Sequence, residues 1–317
     1  PAFFSAHFSL RQRPRFLHCP FLVAAANPHA AAPVERSAEE LATITERNRV
    51  VSEPYARMTV ARDQVNQSAA IIIASAAKAR ELGVPEDKWV HIHAVTAATE
   101  LPLVQRPDLS GCPASLASAE TALRRAGKTM SDMAYLDFYS CFAIPVFNQV
   151  DHFGLSVDDS RGLTLTGGLP FFGGAGNNYS AHAIVEAVHK VRVDAGSFAF
   201  VGANGGWMSK YSSGVYSTTP ADWSGNDRFD VSPEAMDHVA LGSAEGERAT
   251  LETYTISRSK KGDVAVWIGR DENGGRVVGN ADLTDAATAA VFEGGAPFGN
   301  TLSVTRDDKG RNIGLVV

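Results

Sequence analysis

Cysteine is scarce in this chain. Cys19, Cys112 and Cys141 are three in 317 residues, an odd number without paired spacing, which excludes a disulfide framework and a structural zinc site and points to a reducing, cytoplasmic compartment. Long apolar runs are also missing. The best, Ala69 to Ala77, falls well short of the roughly 18 residues that a membrane span requires, so no span is expected. A basic excess is absent: 29 Lys and Arg against 35 Asp and Glu leave a formal charge of −6, with no field to gather phosphate backbones, and nucleic acid is not an expected partner. Acidic residues are absent from the first 34 positions, which carry Arg11, Arg13, Arg15 and several Phe. That opening, starting at Pro1, reads either as a transit peptide or as a truncated or misread end, and residues 1 to 22 carry no functional argument.

What is present suits a folded protein: 44% hydrophobic and 20% charged residues, in a length that accommodates two domains or one and a half. Asn27 to Gln67 is polar, punctuated by Pro28, Pro33 and Pro54, and reads as an irregular connection holding one short helix. Ala69 to Ser75 then reads as a β-leaning apolar run and Ala76 to Leu82 as a helix closed by Gly83 and Pro85. Strand-like Trp89 to Val95, helical Pro113 to Ala126 with its stop at Gly127, strand-like Met133 to Tyr139, and helices over Cys141 to Phe153 and Ser180 to Val193 follow. The β-rich pair Ser197 to Gly202 and Ser213 to Thr218 comes next. Such alternation predicts a mixed, largely parallel sheet covered by helices. After Pro220 the pattern changes, with Asp222 to Asp237 as a linker. Short alternating strands over Arg248 to Arg258, Asp263 to Arg270 and Gly275 to Asn280, a helix near Asp282 to Phe292, and strands at Thr301 to Thr305 and Asn312 to Val316 predict a small β-barrel.

Three clusters carry the chemistry. In Thr166 to His182, Gly173, Gly174 and Gly176 let the backbone approach a ligand, and the helix that follows offers free N–H groups and a positive dipole end. The loop reads either as a cradle for an anion or carbonyl oxygen, or as a flexible connection capped by Asn178. It is neither a dinucleotide fingerprint nor a Walker loop, lacking the spaced acidic residue of the first and the Lys-Ser/Thr of the second. Asp137 to Phe142 sits at a strand-to-helix junction, where open α/β folds bind ligands; Tyr139 and Cys141 are either site residues or core. Ala203-Asn204-Gly205-Gly206-Trp207 is a hairpin turn or a ligand-facing wall. His91 and His93 share a strand face without an acidic or thiol partner, which favours a core or rim role over a metal.

Together, Tyr139 to Phe142, Gly167 to Ser180 and the Asn204-Gly205-Gly206 turn resemble the carboxyl-terminal half of the thiolase superfamily. The likeness is greatest to the acetyl-CoA acetyltransferase-like proteins called thiolase-like proteins of type 1, which carry an additional carboxyl-terminal domain, and it covers about Val23 to Val317. The resemblance implies an α/β fold: a thiolase-like βαβαβαββ half whose helices cover a mixed sheet, then a small OB-like β-barrel. It implies boundaries at 1–68 (an atypical start and remnant of the thiolase loop region), 69–220 (the thiolase half) and 221–317 (the barrel). Nothing in residues 1 to 68 resembles the amino-terminal half that bears the family's nucleophilic cysteine.

Residue by residue, the family's Asn-Glu-Ala-Phe, or His-Asp-Cys-Phe in the sterol-carrier type, falls on Tyr139-Ser140-Cys141-Phe142. Its Gly-His-Pro falls on Gly173-Gly174-Ala175, and its acid/base cysteine on Ala203. The resemblance thus implies an acyltransferase of the acetyl-CoA acetyltransferase type, in lipid metabolism, with its usual His and Cys positions replaced. The alternative is a noncatalytic module that binds a lipid or acyl thioester, or a partner subunit. Tyr139 and His182 are the catalytic candidates, His182 at a helix start that favours neutral imidazole, with Glu186 one turn on to orient it. Gly173, Gly174, Gly176, Asn177, Asn178, Asn204 and Gly205 are the substrate-binding candidates. The ligand is acyl-CoA or a related thioester, with no other cofactor and no metal. A homo-oligomer, or a chain supplying the missing half, is expected to cover the sheet's inner helices.

Overall fold

The computed structural model describes residues 18–223, 230–231, 236–243, 248–295 and 298–317. Its first part is α1 (His18–Ala26), α2 (Ala38–Ala42), a hairpin of β1 (Val50–Ser52) and β2 (Tyr55–Ala56), and α3 (Ala76–Glu81). Ser37 and Ser75 start the two short helices by accepting the N–H groups of Glu40 and Lys78, the usual N-cap device. The β-leaning run Ala69 to Ser75 forms no strand. Ile72 is 95% exposed and Ile73 75%, because β propensity produces a strand only where a neighbouring strand offers hydrogen bonds, and none lies alongside among the described residues.

The α/β half follows as β3 (His91–Thr99), α4 (Pro113–Arg125), β4 (Tyr135–Asp137), α5 (Ala143–His152), α6 (Tyr179–Val193), β5 (Phe198–Gly205) and β6 (Lys210–Ser217), with the short β7 (Asp230–Val231) added later. The expected order stands with the leading strand removed, but the expected largely parallel sheet does not, because the β5–β6 hairpin places an antiparallel strand at its centre. The sheet runs β4-β5-β6-β3-β7. β4 and β5 are parallel, β6 is antiparallel to both β5 and β3, and β7 is parallel to β3. Pro113 occupies the first turn of α4, where its missing N–H loses no bond, and Gly127 ends it at φ 62°. One face of α4, through Ala114, Ser118, Ala119, Ala122 and Leu123, is buried. It belongs to the core that holds Leu136, Phe138, Phe200 and Val215, large side chains that each contribute about 2 kcal/mol by leaving water.

The barrel consists of β8 (Arg248–Ser257), β9 (Val264–Asp271), β10 (Arg276–Ala281), α7 (Ala286–Glu293), β11 (Thr301–Arg306) and β12 (Asn312–Val316). Its order, β11-β12-β10-β9-β8, closes by pairing β11 with β8, and only β10 and β12 are parallel. This is the five-stranded OB-like topology, with the helix between the third and fourth strands. Trp267 is fully buried at its centre. A Cβ at Gly279 would stand 2.6 Å from the Trp267 ring and one at Gly314 2.8 Å from it, so close approach of the indole demands glycine at both places.

The segment before the α/β half joins the barrel. Ser52 of β1 pairs with Ser257 of β8, the Ser52 and Thr255 hydroxyls meet at 2.9 Å, and Arg258 contacts Glu53 at 2.7 Å. Arg276 bridges from the barrel: it is paired with Glu252 at 2.8 Å and donates to the carbonyls of Val104 and Arg106.

Candidate functional site

Asp137 ends β4 with its carboxylate fully buried. Oδ2 accepts from the Thr164 hydroxyl (2.9 Å) and the Leu165 N–H (2.8 Å), Oδ1 accepts from the Tyr179 hydroxyl (3.1 Å), and Thr166 Oγ1 meets the same hydroxyl at 2.8 Å. This network fastens the approach to the glycine loop, residues 164–168, to the start of α6. Sequence reasoning named Asp137 only as part of a polar strand end, because its partners lie 27 to 42 residues away.

Burial pushes Asp137 up to about 6, against the pull of the Leu165 N–H and the Thr164 and Tyr179 hydroxyls. Its folded value lies above the unfolded one, so the stability it contributes by holding its proton is fully present below about pH 4 and is lost as pH rises to about 6, a difference of about 3 kcal/mol. In thermal melts from pH 4 to 7, the parent chain is therefore expected to lose stability relative to Asp137→Asn. Parallel curves for the two proteins would show that the carboxyl does not titrate in this window.

Beyond Asp137, the chain turns under the sheet. Tyr139 packs edge-on against Tyr179 at 5.4 Å between ring centres, and the Ser140 hydroxyl accepts the Leu169 N–H at 3.1 Å. The Asn204 amide reaches the Cys141 sulfur at 4.0 Å. Thus the strand-to-helix junction and the end of β5 meet. Tyr139, Ala203 and Asn204 line a cavity of about 20 Å³ together with Gln149. It is large enough for one water, and the buried Gln149 carbonyl has no hydrogen-bond partner among the described residues. Burial, then the Cys141 thiol, raise Tyr139 to about 12, and burial raises Cys141 to about 11. At neutral pH the phenol and the thiol both keep their protons, so Tyr139 is a hydrogen-bond donor and Cys141 a weak nucleophile.

The glycine loop is covered rather than open. The Ala31 and Ala32 N–H groups bond to the carbonyls of Phe172 and Phe171, and the Arg62 N–H bonds to the Leu169 carbonyl. The Gly174 N–H donates to the Arg62 carbonyl at 2.9 Å. Gly173, at φ 108°, has Gln67 so near that a Cβ would stand 2.6 Å from its Oε1, and that side chain donates to the carbonyls of His29 and Phe172. Gly176 and Asn177 are exposed and Asn178 half-buried. Asn178 precedes α6 without capping it through its side chain; its amide instead meets His182 Nε2 at 3.3 Å. Gly205 lies at the exposed end of β5, and the turn beyond it is a hairpin.

His182 packs edge-on against Phe172 at 5.1 Å between ring centres and has no hydrogen bond to Tyr139 or Cys141 among the described residues. Burial, and then the nearby His29, lower its proton affinity, whereas Glu186 raises it. Glu186 does not orient the ring by a hydrogen bond; its Oε1 accepts from Asn27 at 2.8 Å. The structure therefore brings together Tyr139, Cys141 and Asn204, and places His182 in a separate aromatic setting. His93 is bonded to the Thr219 carbonyl at 2.9 Å, and no cluster of metal-ligating side chains occurs among the described residues. No helix among them is long and apolar enough to cross a membrane.

No family model matches this chain, and no curated relative does. Among solved structures, it is similar over its full length to the crystal structure of a monomeric SCP2-thiolase-like protein type 1 from Mycobacterium smegmatis, at 43% identity and a TM-score of 0.89, and it spans 71% of that chain. Identity at that level over every residue of the shared fold shows common descent, and with it the family: the chain belongs to the SCP2-thiolase-like proteins of the thiolase superfamily.

Proposed function

We propose that this protein binds an acyl thioester of the acyl-CoA class where the end of β4 meets β5, at Tyr139, Cys141 and Asn204 and outside the covered glycine loop, and that it does so without thiolase carbon–carbon chemistry. The carrying observation is the convergence of Tyr139, Cys141 and Asn204 with both ionisable groups held protonated. A phenol and an amide beside a thiol offer donors to a thioester oxygen. Claisen chemistry also requires a thiolate and a proton-transferring partner, and Gly174 and Ala203 have no side chain able to move a proton. The family's acetyl-CoA acetyltransferase activity is thereby reduced to its binding half, and coenzyme A enters as part of the ligand.

Calorimetric titration of the full chain with acetyl-CoA and decanoyl-CoA tests this. Tyr139→Phe and Asn204→Ala, each deleting one donor, are expected to weaken binding about fivefold to tenfold, the scale of one hydrogen bond, at unchanged melting temperature. Binding indifferent to both substitutions would move the thioester elsewhere.

A further inference from the structure

A cavity of about 350 Å³ lies between the α/β half and the barrel, and none of its lining residues belongs to the glycine loop. Its walls are apolar: Leu109, Phe142 and Ile144 on one side, and Tyr254, Val266 and Ile268 of the barrel on the other. Two charged side chains reach it. Glu53 is matched by Arg258 at 2.7 Å. Arg106 is not matched: it is 4% exposed, its Nε donates to the Leu101 carbonyl at 2.8 Å and its Nη2 to the Met208 carbonyl at 2.7 Å. Its Nη1 has no partner, and it forms no ion pair among the described residues. Glu100, itself 3% exposed, is a buried anion in the same neighbourhood, both charges acting on Cys112 and Tyr211, but its oxygens accept the N–H groups of Leu101 and Ala114 and no hydrogen bond or ion pair joins it to Arg106 among the described residues. A buried guanidinium without an anion is unfavourable unless something else provides one.

The same cation anchors the cavity's lip. Trp207 (φ 57°) and Met208 (φ 62°) are consecutive non-glycine residues in the left-handed region, a conformation that persists only when its surroundings hold it. Arg106 and the Tyr211 hydroxyl, at 2.9 Å, both donate to the Met208 carbonyl, and Trp207 is left 91% exposed beside the cavity.

We propose that this cavity is a binding site for a fatty-acid-type carboxylate, its head paired with Arg106 and its tail against Phe142, Ile144 and the barrel wall. A dry apolar cavity of about 150 Å³ accepts benzene, or about 25 Å³ per heavy atom, so the volume here suits about 14 heavy atoms: a saturated acid of about twelve carbons. The site is independent of the thioester reading, because an acyl thioester has no free carboxylate to offer Arg106.

The experiment titrates the full chain with dodecanoate and, in parallel, with dodecan-1-ol, by calorimetry and by intrinsic tryptophan fluorescence. Dodecanoate is expected to bind at least about tenfold more tightly than the alcohol. Arg106→Gln should weaken dodecanoate about tenfold to a hundredfold, the scale of a charge-assisted hydrogen bond, and leave the alcohol unchanged, while Arg106→Lys keeps most of the preference. Ile144→Trp, which fills the cavity, should abolish both at an unchanged melting temperature. If Arg106→Gln does not fold, the lysine and tryptophan variants carry the test. Equal affinity for acid and alcohol, no binding of dodecanoate by the parent, or undiminished binding by Ile144→Trp would each overturn the proposal. Failure here with acyl-CoA binding intact removes this site alone.

Discussion

The purified chain is expected to cleave 3-ketoacyl-CoA with coenzyme A at less than about 10⁻⁴ of the rate of an active thiolase. Each missing acid or base costs roughly 10²- to 10⁴-fold, and two such positions, Gly174 and Ala203, are empty of proton-transferring groups. Cys141 does not compensate. With burial holding its thiol up at about 11, about one molecule in ten thousand carries a thiolate at pH 7, and the thiolate is the nucleophile. Nor is the imidazole easily restored at position 174. A Cβ there would stand 2.9 Å from Leu169 Cδ2, and the backbone is already bonded to Arg62. Ala203→Cys alone is therefore expected to leave the rate unchanged. Free-thiol and enol absorbance assays over a range of chain lengths measure this directly, and turnover within a hundredfold of a competent thiolase would show that His182 or another group performs the proton transfer.

Asp137→Ala is expected to destabilise the fold by about 2–4 kcal/mol at pH 7 and to lower the melting temperature by roughly 5–15 °C. The substitution strands the N–H groups of Leu165 and Thr166 and removes the acceptor of Tyr179. Each orphaned buried group costs about 1–3 kcal/mol, and relief of the buried charge offsets part of the sum. Asp137→Asn keeps an acceptor and sheds the charge, so it should stay within about 1 kcal/mol of the parent. Denaturant titration of the three proteins checks the order. Equal losses for Ala and Asn would mean that the carboxylate charge itself, and not its role as acceptor, holds the loop.

Much of the architecture follows from patterns within about twenty residues. The apolar stripe of α4 with Pro113 before it and Gly127 after it, the stop of α5 at Gly154, and the alternation along β8 to β12 all fix element type locally, since helical and strand periods and turn chemistry are properties of adjacent residues. Tyr139–Phe142 and Asn204 were each legible as polar positions at a strand end, but only the family resemblance joined them, since they lie 63 residues apart. What only the tertiary structure decided are the relations between distant segments. Ile71 to Ile73 read as strand but lack a neighbour. Gly173 and Gly174 read as an open cradle but are roofed by Ala31, Arg62 and Gln67. Asp137, unremarkable as a sequence position, becomes the hub of a network through Thr164 and Tyr179. Arg106 is an ordinary charged residue in the sequence; packing between the α/β half and the barrel strips it of water, with no anion in direct contact among the described residues. The local pattern determines which face of each element is apolar, whereas desolvation and hydrogen-bond pairing depend on what packs there, and those partners lie 27 to 42 residues from Asp137, 102 from Arg106 at Met208 and 105 from Gln67 at Phe172.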